Sequence, residues 1–200
     1  GYQYLGELLA SRGFILVSID ENYINGSLRG ENDGRAWIML EHLVAWKAFT
    51  DSARNPFYHK VDWHEIAIMG HSRGGGAVTH AVQFNRLTRY PDDANVTFDF
   101  HFNIRSVVAI APVDGQYKPA GQFEPIENVN FLVMAGSHDG DVSEFMGLRP
   151  YQRLRFTDGK PYFKSAWYVY RANHGQWNTI WNNHDNGPRS ANRLDLRALL

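Results

Sequence analysis

The sequence predicts an α/β fold in which a mostly parallel sheet is covered by helices on both faces. Short apolar runs of strand length alternate with segments of helical periodicity along the chain. A glycine-rich turn also joins one of these runs directly to an apolar helix. No internal repeat, low-complexity tract or linker divides the 200 residues, so we expect a single domain.

The composition excludes several classes of protein. The chain has 20 Lys plus Arg and 21 Asp plus Glu, a net charge of −1, and its basic residues do not cluster as they do in nucleic-acid-binding proteins. No apolar run reaches the roughly 18 residues needed to span a bilayer. Cysteine is absent, which excludes disulfides and cysteine-based metal sites but identifies no compartment. We therefore expect neither a nucleic-acid partner nor a membrane span.

The first elements are a helix and a strand. Leu5, Leu8 and Leu9 recur at helical spacing, and Gly13 follows them as a natural helix stop. Residues 14–20 form a short apolar run, which predicts a buried strand.

Two longer helices follow. The first has Asn32 or Asp33 as its candidate cap and ends before Pro56. The second, over residues 77–82, comes directly after the tight turn at Gly74–Gly76, and we expect it to be a buried helix. The apolar face of the first helix consists of Trp37, Leu40, Val44 and Ala48.

The rest of the chain supplies the other predicted strands. Residues 91–103 are expected to form an excursion loop, and residues 176–183 a short final helix. The four further strand candidates are residues 66–69, 104–111, 129–135 and 163–170.

Residues 70–74, Gly-His-Ser-Arg-Gly, fit the pattern G-x-S-x-G between a predicted strand and a predicted helix. This pattern is typical of a sharp, strained turn that exposes a serine hydroxyl beside the helix N-terminus. The alternative is a phosphate-binding turn, but the Lys-Ser or Lys-Thr pair of a P-loop and the third glycine of G-x-G-x-x-G are both missing. Ser72 is therefore predicted to be a nucleophile.

A nucleophilic serine requires a base and a carboxylate that orients the base, and for this turn both come from the ends of later strands. Asp139 directly follows the strand predicted to end at residue 135 and is our preferred acid. Asp114 also follows a predicted strand and is the alternative acid, whereas Asp141 is expected to be a loop cap or a solvated charge. His174, just past the last predicted strand, is the candidate base.

Three further residues are candidates for lining a pocket. His71 precedes the serine, His138 precedes the acid, and Trp177 follows the base closely. We predict no metal site, because His64, Glu65 and His71 are spaced too widely and lie on a strand, where they cannot share one helical face.

These motifs resemble the α/β-hydrolase superfamily. The likeness is carried by residues 70–75, 136–139 and 173–175, and it covers about residues 5–177. Residues 8–20 are similar to the segment that precedes the serine turn in cutinase-like polyester hydrolases and platelet-activating-factor acetylhydrolase-like esterases.

The resemblance implies a serine esterase that acts on small-molecule or polymeric esters through an acyl-enzyme. Ser72 would be the nucleophile, Asp139 the acid and His174 the base, and the backbone N–H of Arg73 would form part of the oxyanion hole. No metal or organic cofactor would be needed. A prolyl-oligopeptidase-type peptidase, an acyltransferase and a catalytically silent binding module remain alternatives. Substrate identity and oligomeric state stay open.

The sequence departs from the superfamily at both ends. Members carry a strand before the first helix, which lies between the strands predicted at residues 14–20 and 66–69, and the loop after it supplies a second oxyanion donor. We find no counterpart of that strand, and the usual last helix is cut short at Leu200. The expectation is one catalytic domain over residues 1–200, truncated at both ends.

Overall fold

The computed structural model describes residues 1–28, 31–181, 184, 185 and 187. The strands are β1 (Ile66–His71), β2 (Arg89–Tyr90), β3 (Asp93–Thr97), β4 (Ile104–Ile110), β5 (Asn130–Gly136) and β6 (Lys164–Val169). The α-helices are α1 (Gln3–Ala10), α2 (Asn22–Ser27), α3 (Asn32–Thr50), α4 (Arg73–Phe84) and α5 (Arg149–Arg153). Two short 3₁₀ turns occupy Pro119–Gly121 and Met146–Leu148.

Four strands form a parallel sheet in the order β1-β4-β5-β6. The four strands predicted between residues 66 and 170 are confirmed, and each observed strand lies within two residues of its predicted bounds. Because the strands are parallel, their carboxyl ends all reach the same edge of the sheet, where ligand-binding residues of α/β proteins gather. The fold is therefore of the predicted α/β class.

The main core lies between the sheet and helices α3 and α4. Alternate residues of β5 point to this side, so Phe131 and Val133 are fully buried in the same core cluster as Val78 of α4 and Leu40 of α3. Full burial of such side chains is worth about 1.5–3 kcal/mol each, which fixes α4 and the turn that precedes it. A smaller cluster contains Ile110, Ala111, Ala172 and Trp177, with Tyr2, Met69, Val108, Met134 and Val169 packed against it.

Helix α3 begins as expected but without the predicted side-chain cap. Glu31 occupies the cap position and makes no capping hydrogen bond through its side chain. Asn32 is the first helical residue and is fully buried, so it does not cap the helix from outside. No helix among the described residues is both long enough and apolar enough to cross a membrane.

The prediction of a buried strand over residues 14–20 is wrong. This segment has no strand hydrogen-bonding pattern, and Phe14 is 60% exposed. The physical reason is the lack of a partner among the described strands: β1 is the nearest sheet edge in chain order, and it pairs with β4 alone. An apolar run predicts burial only where a neighbouring strand can accept its backbone hydrogen bonds.

Two other predictions need correction. The expected excursion at residues 91–103 contains a small antiparallel hairpin, because β2 pairs with β3 before the chain returns to β4. The expected helix at residues 176–183 is a series of turns through residue 181, and residues 182 and 183 lie outside the described part of the chain. In these turns Asn178 accepts the backbone N–H of both Ile180 and Trp181, so a side chain takes the place of helical acceptors.

Candidate active site

Ser72 lies between β1 and α4 in a strained backbone conformation. Its φ of 59° and ψ of −121° belong to a region that residues with a side chain rarely adopt. Two neighbours hold this geometry: the Ser72 N–H donates to the Ile110 carbonyl at 2.9 Å, and the Ser72 carbonyl accepts from the Val113 N–H at 3.0 Å. The turn is therefore fixed by β4 and the residues after it, and strain of this kind persists where surrounding structure enforces it.

The glycine that opens the motif allows the turn to be this tight. A Cβ atom on Gly70 would lie 2.0 Å from the carbonyl oxygen of Gly74, because the strand and the helix backbones nearly touch. Any side chain at residue 70 would push α4 away from β1. The G-x-S-x-G pattern thus encodes the close approach that exposes the Ser72 hydroxyl.

Asp139 is held by its own loop after β5. Its Oδ1 atom accepts hydrogen bonds from the backbone N–H groups of Asp141 at 3.0 Å and Val142 at 2.7 Å. This leaves Oδ2 to face the loop after β6. The two loops pack closely at Gly136, where a Cβ atom would lie 2.1 Å from the Ala172 carbonyl oxygen.

The structure brings Ser72, His174 and Asp139 into one hydrogen-bonded line. The Nε2 atom of His174 lies 2.9 Å from the Ser72 Oγ atom, and its Nδ1 atom lies 3.0 Å from Asp139 Oδ2. Because a carboxylate only accepts, Nδ1 of His174 is the donor to Asp139. In the neutral imidazole Nε2 is then the acceptor for the serine hydroxyl, and the side chains of His174 and Asp139 are only 11% and 2% exposed.

The surroundings of His174 favour its charged form. Burial opposes the charge, but the hydrogen bond to Asp139 and the charge of that carboxylate outweigh burial and raise the pKa of His174 above its ordinary value. The carboxylates of Asp141 and Asp185 add to this effect. A base of raised pKa is the better proton acceptor once it is neutral, and it becomes neutral only at a higher pH.

His71 forms a hydrogen bond to the backbone of the candidate base, His174. Its Nε2 atom lies 2.9 Å from the His174 carbonyl oxygen, so Nε2 carries a hydrogen and donates. The two imidazole rings are 4.8 Å apart. Burial, followed by the nearby charge of His174, lowers the pKa of His71 to about 4. His71 is therefore a neutral donor that fixes the backbone of His174.

Sequence reasoning missed two carboxylates around the base. Asp185 accepts the backbone N–H of His174 at 2.7 Å and that of Gly140 at 3.1 Å, so it joins the loop of the base to the loop of the acid. Asp141 was expected to be a loop cap or a solvated charge. Its Oδ2 atom lies 3.4 Å from Nε2 of His174. Neither contact has a local sequence signal, because both join residues far apart in the chain or across a turn.

Asp114, the alternative acid, is bound elsewhere. Its carboxylate forms a two-pronged pair with Arg153 of α5, at 2.7 and 2.8 Å, and its side chain is 3% exposed. The Arg153 guanidinium in turn lies 4.7 Å from the centre of the Phe123 ring. Asp114 therefore anchors α5 beside the site, whereas Asp139 contacts His174.

A cavity of about 670 Å³ opens beside Ser72. Arg73 is among its lining residues, and the N–H of Arg73 opens α4, where backbone donors have no acceptor within the helix. None of the three candidate pocket residues lines this cavity: His71 lies behind His174, His138 packs edge-on against Tyr170, and Trp177 is buried in the smaller core cluster. The full lining is Ser72, Arg73, Val113, Asp114, Gly115, Gln116, Asp141 and Met146.

A known protein family matches the first part of the chain. Residues 1–91 match the model of a family described as PET hydrolase-like. No curated protein matches the sequence. The family match covers 91 of the 200 residues. The parallel sheet and the serine turn are those of an α/β-hydrolase fold.

Several solved structures resemble the chain at low sequence identity. An Agrobacterium tumefaciens protein of unknown function described as an α/β-hydrolase is 16% identical, with a TM-score of 0.45 over 85% of this chain and 65% of that one. A predicted CIB-like hydrolase from Thermoplasma acidophilum is 19% identical, with a TM-score of 0.47 over 94% of this chain and 65% of that one. A hydrolase-like protein from Agrobacterium vitis is 16% identical, with a TM-score of 0.44 over 87% and 71% of the two chains. The chain thus spans 65% of the length of the first two structures.

Proposed function

We propose that this α/β-hydrolase cleaves carboxylic esters through an acyl-enzyme formed on Ser72. The observation that carries the proposal is the hydrogen-bonded line from Ser72 through His174 to Asp139, which starts at a strained turn before α4. A nucleophile, a base and a carboxylate that orients the base are the parts that acyl transfer requires.

The proposed reaction has two halves. In the first, Nε2 of His174 takes the proton of the Ser72 hydroxyl while Oγ attacks the ester carbonyl carbon. The tetrahedral intermediate collapses, the alcohol leaves with the proton from Nε2, and the acyl group stays on Oγ. In the second, His174 takes a proton from water, the resulting hydroxide attacks the acyl carbon, and Ser72 regains its proton as the acid departs.

Asp139 and Arg73 have supporting parts in this reaction. The buried Asp139 carboxylate keeps the hydrogen of His174 on Nδ1 and stabilises the imidazolium that forms when Nε2 is protonated. The backbone N–H of Arg73 is proposed as one donor to the negative oxygen of the intermediate, because it opens α4 directly after Ser72. Loss of one such donor costs about 10²- to 10³-fold in rate.

The substrate is proposed to be a bulky or polymeric ester, with aromatic polyesters as the first class to test. The support is the match of residues 1–91 to a PET hydrolase-like family. A cavity of about 670 Å³ beside Ser72, with Met146 among its lining residues, is large enough for one repeat of such a polymer.

The test is ester hydrolysis with a graded series of p-nitrophenyl esters and an amorphous aromatic polyester film. We expect the wild-type chain to hydrolyse the short esters with an initial burst of p-nitrophenol, which reports the acyl-enzyme. Ser72→Ala should abolish both the burst and the turnover. Ser143→Ala is the matched control and should retain both, because it removes an exposed hydroxyl from the loop after β5 that carries Asp139.

Each outcome has a separate meaning. Turnover without a burst that survives Ser72→Ala would contradict the acyl-enzyme on this residue. Hydrolysis of the short esters with no release of soluble products from the film would contradict the polymer substrate but leave the esterase proposal standing.

A further inference from the structure

We propose that Asp141 is a second carboxylate partner of the base, which stabilises the His174 imidazolium through Nε2 and so sets the pH at which the free enzyme becomes active. The proposal rests on the esterase function above and concerns how that site is regulated. Its basis is a single contact: Asp141 Oδ2 lies 3.4 Å from His174 Nε2, on the side of the ring that also faces Ser72 Oγ at 2.9 Å.

The contact has opposite consequences for the two forms of the imidazole. When His174 is neutral, Nε2 carries only a lone pair, so it and the Asp141 oxygen are two acceptors facing one another. When His174 is protonated, Nε2 carries a hydrogen that is shared between the Ser72 oxygen and the Asp141 carboxylate. Asp141 therefore favours the protonated form, which cannot accept the serine proton.

Asp141 differs from Asp139 in its exposure to solvent. The Asp139 side chain is 2% exposed and binds Nδ1, whereas the Asp141 side chain is 64% exposed and faces Nε2 from the cavity. An exposed carboxylate is screened by salt, and a buried one is screened much less. The influence of Asp141 should therefore depend strongly on ionic strength, and that of Asp139 much less.

Other charged or titratable groups contact His174 at atoms other than Nε2. Asp139 binds Nδ1, and Asp185 accepts the backbone N–H rather than a ring atom. His71 contacts the backbone carbonyl and is neutral above about pH 4, because its pKa is lowered to about 4. Among the described residues, Asp141 is the carboxylate that faces the nitrogen exchanging protons with Ser72.

The position of Asp141 also links the effect to substrate. Asp141 lines the cavity beside Ser72, together with Arg73 and Met146. A substrate acyl group in this cavity would separate the Asp141 carboxylate from His174 Nε2, so the carboxylate would no longer stabilise the protonated imidazole. We therefore expect the acid limb of kcat, which reports the enzyme–substrate complex, to lie at lower pH than the acid limb of kcat/KM, which reports the free enzyme.

The first test measures the proton on His174 directly, so it does not depend on activity. The imidazole resonances are titrated by NMR in the wild type, Asp141→Asn and Glu144→Gln, with His174→Gln used to assign the signals. We expect Asp141→Asn to lower the midpoint of the His174 titration by about half a pH unit at low salt. Glu144→Gln removes the same charge from an exposed position of the same loop and should shift it by less than about 0.2 unit.

The second test uses salt and kinetics. In about 1 M NaCl the midpoint of the wild type should fall toward that of Asp141→Asn, while the variant stays unchanged. The acid limb of kcat/KM for a short ester should move with the NMR midpoint. Asp141→Glu should restore part of the wild-type shift, which a purely structural role of the loop would not predict.

Three results would overturn the proposal. The first is a His174 midpoint that does not change in Asp141→Asn, and the second is an equal shift in Glu144→Gln. The third is a wild-type midpoint that does not fall toward that of Asp141→Asn at high salt. Failure of the esterase proposal is distinguishable, because the NMR midpoint can shift as expected in a chain that hydrolyses no ester.

Discussion

Apolar segments are buried near the carboxyl edge of the sheet but exposed in the amino-terminal segment, residues 1–20. At the sheet edge, apolar strands such as β5 are fully buried, and the loops that follow them are joined by hydrogen bonds between Asp139, His174 and Ser72. In residues 1–20, helix α1 has no buried residue and the apolar run that follows it is exposed, with Phe14 60% accessible.

The difference shows what an apolar run does and does not specify. β5 and residues 14–20 are both rich in apolar side chains, but β5 is paired on both sides by β4 and β6. Residues 14–20 have no pairing partner among the described strands. Pairing satisfies the backbone and so permits burial of the side chains, which means that composition alone does not decide the outcome.

The largest expected effect comes from removal of the base. His174→Gln should lower kcat for a short ester by at least about 10⁴-fold, because Ser72 loses its proton acceptor. Steady-state kinetics with circular dichroism as a check on folding would measure this. His184→Gln is the control, since it changes a histidine near the same part of the chain, and a comparable loss in that variant would show that the effect is not specific to the base.

The next effect separates the two acids at the sheet edge. Asp139→Asn should lower kcat by about 10³- to 10⁴-fold with little change in the free energy of unfolding, because Asp139 fixes the tautomer of His174. Asp114→Asn should do the reverse: kcat stays within about tenfold, while the free energy of unfolding falls by about 2 kcal/mol because Arg153 loses its charged hydrogen-bond partner. The prediction fails if the two variants exchange these phenotypes.

The third effect compares the two apolar segments directly. Phe131→Ala in β5 should lower the free energy of unfolding by about 3–5 kcal/mol, because Phe131 is 0% exposed and its removal leaves a cavity. Phe14→Ala should change it by less than about 0.5 kcal/mol, since Phe14 is 60% exposed. Urea denaturation of both variants gives the values, and a large cost at Phe14 would show that the amino-terminal segment is buried in solution.

The smallest effect concerns the pH dependence of stability. The pKa of His71 is lowered to about 4, so between pH 6.5 and 4 the unfolded chain binds a proton that the folded chain does not. The free energy of unfolding should therefore decrease as the pH falls through this window, by up to roughly 3 kcal/mol. The pKa of His174 is raised, so its contribution to the free energy of unfolding is lost as the pH rises above the pKa that this histidine has in the unfolded chain.

A matched variant isolates the contribution of His71. His71→Gln keeps an N–H donor for the His174 carbonyl but does not titrate, so its stability should change less between pH 6.5 and 4 than that of the wild type. Equal slopes for the two proteins in urea denaturation would contradict the assignment of this window to His71.

The sequence predicted the parts of the molecule that local patterns encode. The turn at Ser72 was predictable because Gly70 and the apolar stretch after it specify a tight junction of strand and helix. Asp139 and His174 were candidates because they follow the ends of parallel strands, which meet at one edge.

Contacts between distant residues were beyond prediction. The pairing of Asp114 with Arg153 and the bridge made by Asp185 join parts of the chain whose proximity is set by the whole fold. Residues 176–181 form turns instead of the predicted helix, because side-chain acceptors such as Asn178 replace the helical hydrogen bonds there.

The account depends most on an activated Ser72, and covalent labelling tests this directly. The protein would be treated with a fluorophosphonate and the adduct located by peptide mass spectrometry, with Ser72→Ala and Ser143→Ala treated in parallel. We predict one adduct on Ser72 in the wild type and in Ser143→Ala, and none in Ser72→Ala. A folded wild-type chain that is not labelled, or one that is labelled at another serine, would contradict the proposed nucleophile.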